Sequence, residues 1–172
     1  QAAGTFTGGD SDLIVNGSYT LSGGTFTATS GNWTQASDLS ISGGIFTHNS
    51  GMINFNGLSA NTNVNVGTAI FNNMTLNKGG FDFILTGTLD VDGNLTFISA
   101  SNVQTGTITV GGDLSSLDSS IDGSASITLD GTGIQNINTT GNDLPDGLFT
   151  INKTSGSAVL TSGMTTALDG IG

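Results

Sequence analysis

The side chains able to do chemistry in this 172-residue chain are few, and their types narrow the possibilities at once. His48 is the single histidine, Lys78 and Lys153 are the two basic residues, and all 13 acids are aspartates; glutamate, arginine and cysteine are missing. A lone imidazole cannot complete a transition-metal shell. Serine hydrolysis would need that same imidazole as base, beside a G-x-S-x-G elbow the sequence lacks. His48 therefore reads as a turn residue of His48-Asn49-Ser50-Gly51. Carboxylates make the stronger case, for cleavage of a polysaccharide: Asp90 and Asp92 share one strand face, and Asp130 takes the place of Asp92 about two repeats on. The repeat between them carries Gly111 there, and no Arg or Glu is available to bind or protonate a sugar, so the aspartates read as outward, solubilising positions. No catalytic, cofactor-binding or metal-ligating residue is assigned, and an enzyme is not expected. Calcium is the one metal the oxygen-rich side chains suit, but Asp90-Val91-Asp92-Gly93-Asn94 lacks the glycine position and distal Glu of an EF-hand loop.

Charge excludes further classes. A net charge of -11 cannot neutralise a phosphate backbone, which rules out nucleic acid as a partner. Two isolated lysines without a phosphate-binding glycine loop rule out kinase or NTPase chemistry. No apolar run approaches the roughly 18 residues of a spanning helix, and residues 1–30 show no basic region followed by an apolar one. Membrane insertion is not expected, and the chain reads as a mature product or a segment of a longer one.

The elements that would carry these residues are short and repeated. Gly4-Thr5-Phe6-Thr7, Gly24-Thr25-Phe26-Thr27 and Gly44-Ile45-Phe46-Thr47 recur at an interval of 20 residues. The strings beginning Gly87-Thr88-Leu89, Gly106-Thr107-Ile108 and Ala125-Ser126-Ile127 recur at 19, with Leu95, Leu114 and, one place late, Ile134 following them. A fixed period near twenty marks a solenoid. Within each repeat apolar residues alternate with Thr, Ser, Asn or Asp, the period of a strand with one face in and one out. Helix formers are scarce, and Gly supplies 28 residues for corners. The expected fold is all-β, a β-solenoid or parallel β-helix of 19–20-residue rungs spanning residues 1–172, with loop-outs near 58–68 and 139–146. A β-sandwich or Ig-like pair is the alternative, disfavoured because sandwich strands do not normally repeat their sequence. The phrases around Lys78 and Lys153 match, which places the two lysines at equivalent points of the coil about four rungs apart.

Surface features suggest binding roles. Thr5/Thr7 and Thr25/Thr27 form an outward ladder of the kind that can organise water, but the third copy reads Ile45/Thr47 and the array dissolves. Trp33 and Tyr19 could stack on sugar, although each better fills a rung interior or a cap. Asn-x-Ser/Thr triplets begin at Asn16, Asn32, Asn73, Asn94, Asn138 and Asn152, as expected from so much Asn, Ser and Thr.

The residues 44–57, the run 71–78 and Leu129-Asp130-Gly131-Thr132-Gly133-Ile134-Gln135-Asn136-Ile137 resemble units of the large β-strand-repeat surface proteins of Bacteroidota and other Gram-negative bacteria. The resemblance implies an exported, extracellular or cell-surface, adhesin-like or fibre-forming protein, with no catalytic motif to carry over. The expected function is a non-enzymatic rigid stalk or filament segment of a bacterial surface adhesin. Because strand-like text runs from Gly4 to Leu168 without a charged plug, the expected partners are copies of the chain or adjacent repeats end to end, and surface glycans second. A glycan- or ice-binding solenoid module is the alternative, and a carbohydrate-active β-helix enzyme the third.

Overall fold

The computed structural model describes residues 1–100 and 102–163, and among these every regular element is a strand. Nineteen strands wind into about eight turns of a parallel β-solenoid. Turn one holds β1 (Thr5–Thr7) and β2 (Leu13–Val15); turn two β3 (Tyr19–Thr27) and β4 (Asn32–Gln35); turn three β5 (Leu39–Thr47) and β6 (Met52–Phe55). Turn four holds β7 (Thr62–Asn65), β8 (Ile70–Phe71) and β9 (Asn73–Asn77); turn five β10 (Phe83–Leu85), β11 (Thr88–Val91) and β12 (Leu95–Ser99). Turn six holds β13 (Val103–Gln104), β14 (Thr107–Val110) and β15 (Leu114–Ser116); turn seven β16 (Ser126–Leu129) and β17 (Gln135–Asn138); turn eight β18 (Phe149–Ile151) and β19 (Ala158–Leu160). Three parallel sheets result, of six, five and eight strands: sheet A from β1 to β13, sheet C from β8 to β18 and sheet B from β2 to β19.

Stacking puts like residues above one another, and this builds the core. Register aligns Phe6, Phe26 and Phe46, and aligns Phe71, Val91, Val110, Leu129 and Ile151. The Phe46 and Phe71 rings lie 4.9 Å apart, so the two sequence repeats share one inner column. Each such side chain fully buried contributes roughly 1.5–3 kcal/mol. Leu95, Leu114 and Ile137 form a second column in sheet B; Ile134, which the interval of 19 assigned to it, is 68% exposed. The extra residues of that turn form a corner that pushes Ile134 outward.

Two other expectations change. The expected loop-outs are smaller than 58–68 and 139–146: residues 58–61 are exposed and lie outside any strand, but β7 carries 62–65 into sheet A with Thr62 and Val64 buried, because those positions still alternate, and Leu144 and Pro145 are buried. Asp143 N–H donates to Asp118 C=O (3.0 Å) and Asp146 N–H to Gly123 C=O (2.7 Å), as a stacked turn requires. The lysines are not equivalent either. Lys78 follows β9 in sheet B and Lys153 follows β18 in sheet C. What they share is local: each reaches back about one turn to a glycine carbonyl, Gly57 for Lys78 and Gly131 for Lys153.

Candidate functional site: a cleft where two rung types meet

Turns two and three cross from sheet A to the neighbouring face on one nine-residue strand, with Gly24 and Gly44 at φ 78° making the bend that lets the strand continue. Turn four spends the same number of residues differently. From Val64 to Phe71 the chain makes a tight turn, Ala69 N–H donating to Val66 C=O at 2.9 Å with Gly67 at φ 57°, before β8 begins. The ladder between turns three and four is therefore interrupted. It holds at Leu39 with Val64 and Ser40 with Asn65, and resumes at Met52 with Asn73. Between them no backbone hydrogen bond joins 41–49 to 66–71 among the described residues.

The interruption opens a cleft of about 680 Å³, floored by Phe46 and edged by Ile45 and Ile70. Both isoleucines are exposed, 63% and 40%, on an otherwise polar flank. His48 stands at one end of the cleft, Asn65 in one wall, and Asp92 reaches it from turn five. Asn49 and Ser50, at φ 50° and 58°, hold the corner in the left-handed region that non-glycine residues seldom adopt. That corner lets Ser50 N–H donate to His48 Nδ1 at 2.9 Å, which leaves Nε2 as the protonated nitrogen of the neutral ring. His48 is thus a corner residue, as its surroundings in sequence imply, but one placed at a cleft. Trp33 lies under the same floor, buried, and its indole N–H has no hydrogen-bond partner.

Asp90, Asp92 and Asp130 do share a flank. Val91 and Leu129 point inward between them, and Asp90 Oδ1 accepts the Thr109 hydroxyl at 2.8 Å. Asp130 has its pKa raised, first by desolvation and then by the charge of Asp90, with Asp92 adding to it and Lys153 opposing. Among the described residues no group of three or more His or Asp side chains is arranged to hold a metal ion. Trp33 and Tyr19 meet edge to face at 6.0 Å inside the coil, and Tyr19 O–H donates to Gln1 Oε1 at 3.2 Å. The threonine ladder of the first turns ends where Thr25 pairs with Ile45, as its sequence indicates, but sheet C carries a second one. Thr88, Thr107 and Ser126 stack in one outward column of sheet C, and Asp90, Thr109, Thr128 and Thr150 in the next.

Sequence reasoning missed the work of the corner aspartates and asparagines. Asn94 N–H donates to Asn73 Oδ1, Asp113 N–H to Asn94 Oδ1 and Asn136 N–H to Asp113 Oδ1, at 2.8, 2.8 and 2.7 Å. These oxygens satisfy corner amides that the ladder cannot reach. The signal was an Asn or Asp at each corner, hidden by the abundance of both. No protein family, curated protein or solved structure matches this chain.

Proposed function

We propose that the chain is a non-enzymatic structural element, a rigid stalk or fibre-forming segment of a bacterial surface adhesin or extracellular filament. The observation that supports this reading is the in-register stack itself. Sheet B takes one strand from each of the eight turns without a break, from β2 to β19, a rod of roughly 40 Å at the usual inter-strand spacing. In the first turn β1 and β2 each have a single neighbour, and Phe6 and Ile14 are exposed there. Such edges pair readily with another strand, either adjacent turns of the same polypeptide or a second copy. Electron microscopy and fibre diffraction of the purified chain test this. Filaments with an axial repeat of about 4.8 Å are the expected result. Compact single particles at every concentration would overturn the end-to-end pairing.

A second reading, a glycan- or ice-binding module, is favoured by the threonine columns of sheet C. Ice-shaping and glycan-array assays on Thr107→Leu and Thr109→Leu separate it from a passive spacer, because the rod would survive while the binding would not.

A further inference from the structure

We infer that the cleft between turns three and four is a binding site for an uncharged, hydroxyl-rich ligand, a neutral saccharide of one to three residues. Its volume of about 680 Å³ lies within the range of about 300–1,000 Å³ typical of ligand sites. Three features identify the ligand class. The first is unpaired backbone. In a parallel ladder successive peptide groups face alternate neighbours, so those of Gly44 and Phe46 face turn four, where no backbone partner meets them. A ligand carrying many hydroxyls donates to and accepts from such groups; a hydrocarbon leaves them unsatisfied. The second is the side-chain set. Asn65 supplies an amide, His48 an Nε2 donor and Asp92 an acceptor, while exposed Ile45 and Ile70 match the C–H face of a pyranose ring. The third is charge. Lys78 and Lys153 are both engaged with glycine carbonyls, and Asp92 sits at the rim, so phosphate, sulfate, uronate and sialate are disfavoured.

The site is independent of the stalk reading. Filaments can form with the cleft empty, and saccharide can bind an isolated rod, so microscopy and titration fail separately. Trp33 provides the reporter, being the sole tryptophan and lying beneath the cleft floor beside Phe46. The full chain is titrated with N-acetylglucosamine, methyl glucosides, cellotriose and chitotriose, and with glucuronate and N-acetylneuraminate as charged comparators. Trp33 emission and amide chemical shifts are recorded. A saturable change with at least one neutral saccharide is expected, with shifts confined to residues 41–49 and 65–70 and to Asp92 and its neighbours. Ile45→Ser with Asn65→Ala, both exposed positions, should weaken it on the order of tenfold, as lost contacts in a saccharide subsite do. Ile134→Ser, an equally exposed isoleucine on the distant turn seven and outside the threonine columns, should leave it unchanged. The inference is overturned by no response to any neutral saccharide, by equal responses to the charged comparators, or by binding that survives the double substitution in a folded chain.

Discussion

Turns one to three and turns five to eight solve the same stacking problem with different materials. In the early turns the inner column is aromatic, Phe6 on Phe26 at 4.8 Å and Phe26 on Phe46 at 6.0 Å, nearly parallel, with Trp33 and Tyr19 beside them. In the later turns it is aliphatic, Val91, Val110 and Leu129, and the corners are tied by the Asn and Asp ladder. Large rings accompany wide corners, where six residues separate Phe26 from Trp33; three separate Val91 from Leu95. Turn four joins the two types and loses its ladder on one face. A cleft in a solenoid thus follows from a change of rung design, with no inserted loop needed to build it.

If stability in such a coil is a sum of turn and nearest-neighbour terms, the interrupted interface is the weakest link. Phe26→Ala should give the largest effect. Phe26 is buried between two rings, and its loss should cost about 3–5 kcal/mol. The loss should be felt in turns one to three alone, and hydrogen exchange checks this. Amides of 19–55 should exchange faster while those of 88–138 keep their protection. Uniform loss of protection along the chain would show that the two regions melt as one.

The next effect tests backbone approach in the later region. A Cβ on Gly131 would lie 1.9 Å from the Gly111 carbonyl oxygen, whereas one on Gly133 meets nothing within 4 Å. Gly131→Ala forces backbone atoms apart, so denaturant unfolding should show a loss of about 1–3 kcal/mol or more. Gly133→Ala, two residues away, should stay within about 0.5 kcal/mol. Equal costs would mean that the corner relaxes as a unit.

The inner columns were legible because their signal is periodic. Phe6, Phe26 and Phe46 announce one, and Leu89, Ile108 and Ile127 another, paired in the structure as their spacing requires. The joining of the two series was not legible. Phe46 and Phe71 stand 25 residues apart because the corner after Phe55 is longer than its predecessor, and the shorter corner after Phe71 then brings Asn73 level with Met52. The matching text around Lys78 and Lys153 misled for a related reason. A strand followed by Asn and Lys makes the same corner on any side of the coil, so it does not report which side. The cleft depends on Val66-Gly67-Thr68 turning where Ser42-Gly43-Gly44 runs on, and both strings are small, polar and glycine-bearing.

Lys78 sharpens the comparison from the other side of the junction, since it staples turn four to turn three at the buried Gly57 carbonyl. Lys78→Met keeps the aliphatic stem but strands that carbonyl, at a cost of about 1–3 kcal/mol near neutral pH. Desolvation lowers the lysine's pKa, with Asp38 opposing. Below the lowered value the lysine is charged in both states; between it and the ordinary 10.5 the unfolded chain alone holds the proton, so stability rises with pH across that window. Tyr19, raised by desolvation, acts oppositely above its ordinary 10.0. Thermal melts of both chains from neutral to alkaline pH should therefore show their stability difference widening with pH in the lysine window. A constant difference would show that Lys78 keeps an ordinary ammonium.

The smallest expected effect lies on the acidic flank of the later turns, which has no counterpart among Thr5, Thr7, Thr25 and Thr27. Asp130 has a raised pKa, so its ionisation works against the folded state. That penalty is absent below the unfolded carboxyl value and complete above the folded one. Asp130→Asn should consequently stabilise the chain at neutral pH, by no more than about 0.5 kcal/mol because the group is exposed and screened. The gain should disappear on acidification and shrink in high salt. Asp90→Asn made together with it should add less than the sum of the two, because each substitution removes the repulsion the other relieves. Strict additivity across that double-mutant cycle would mean that desolvation alone raises Asp130 and that the two carboxylates, one turn of threonine apart, do not sense one another.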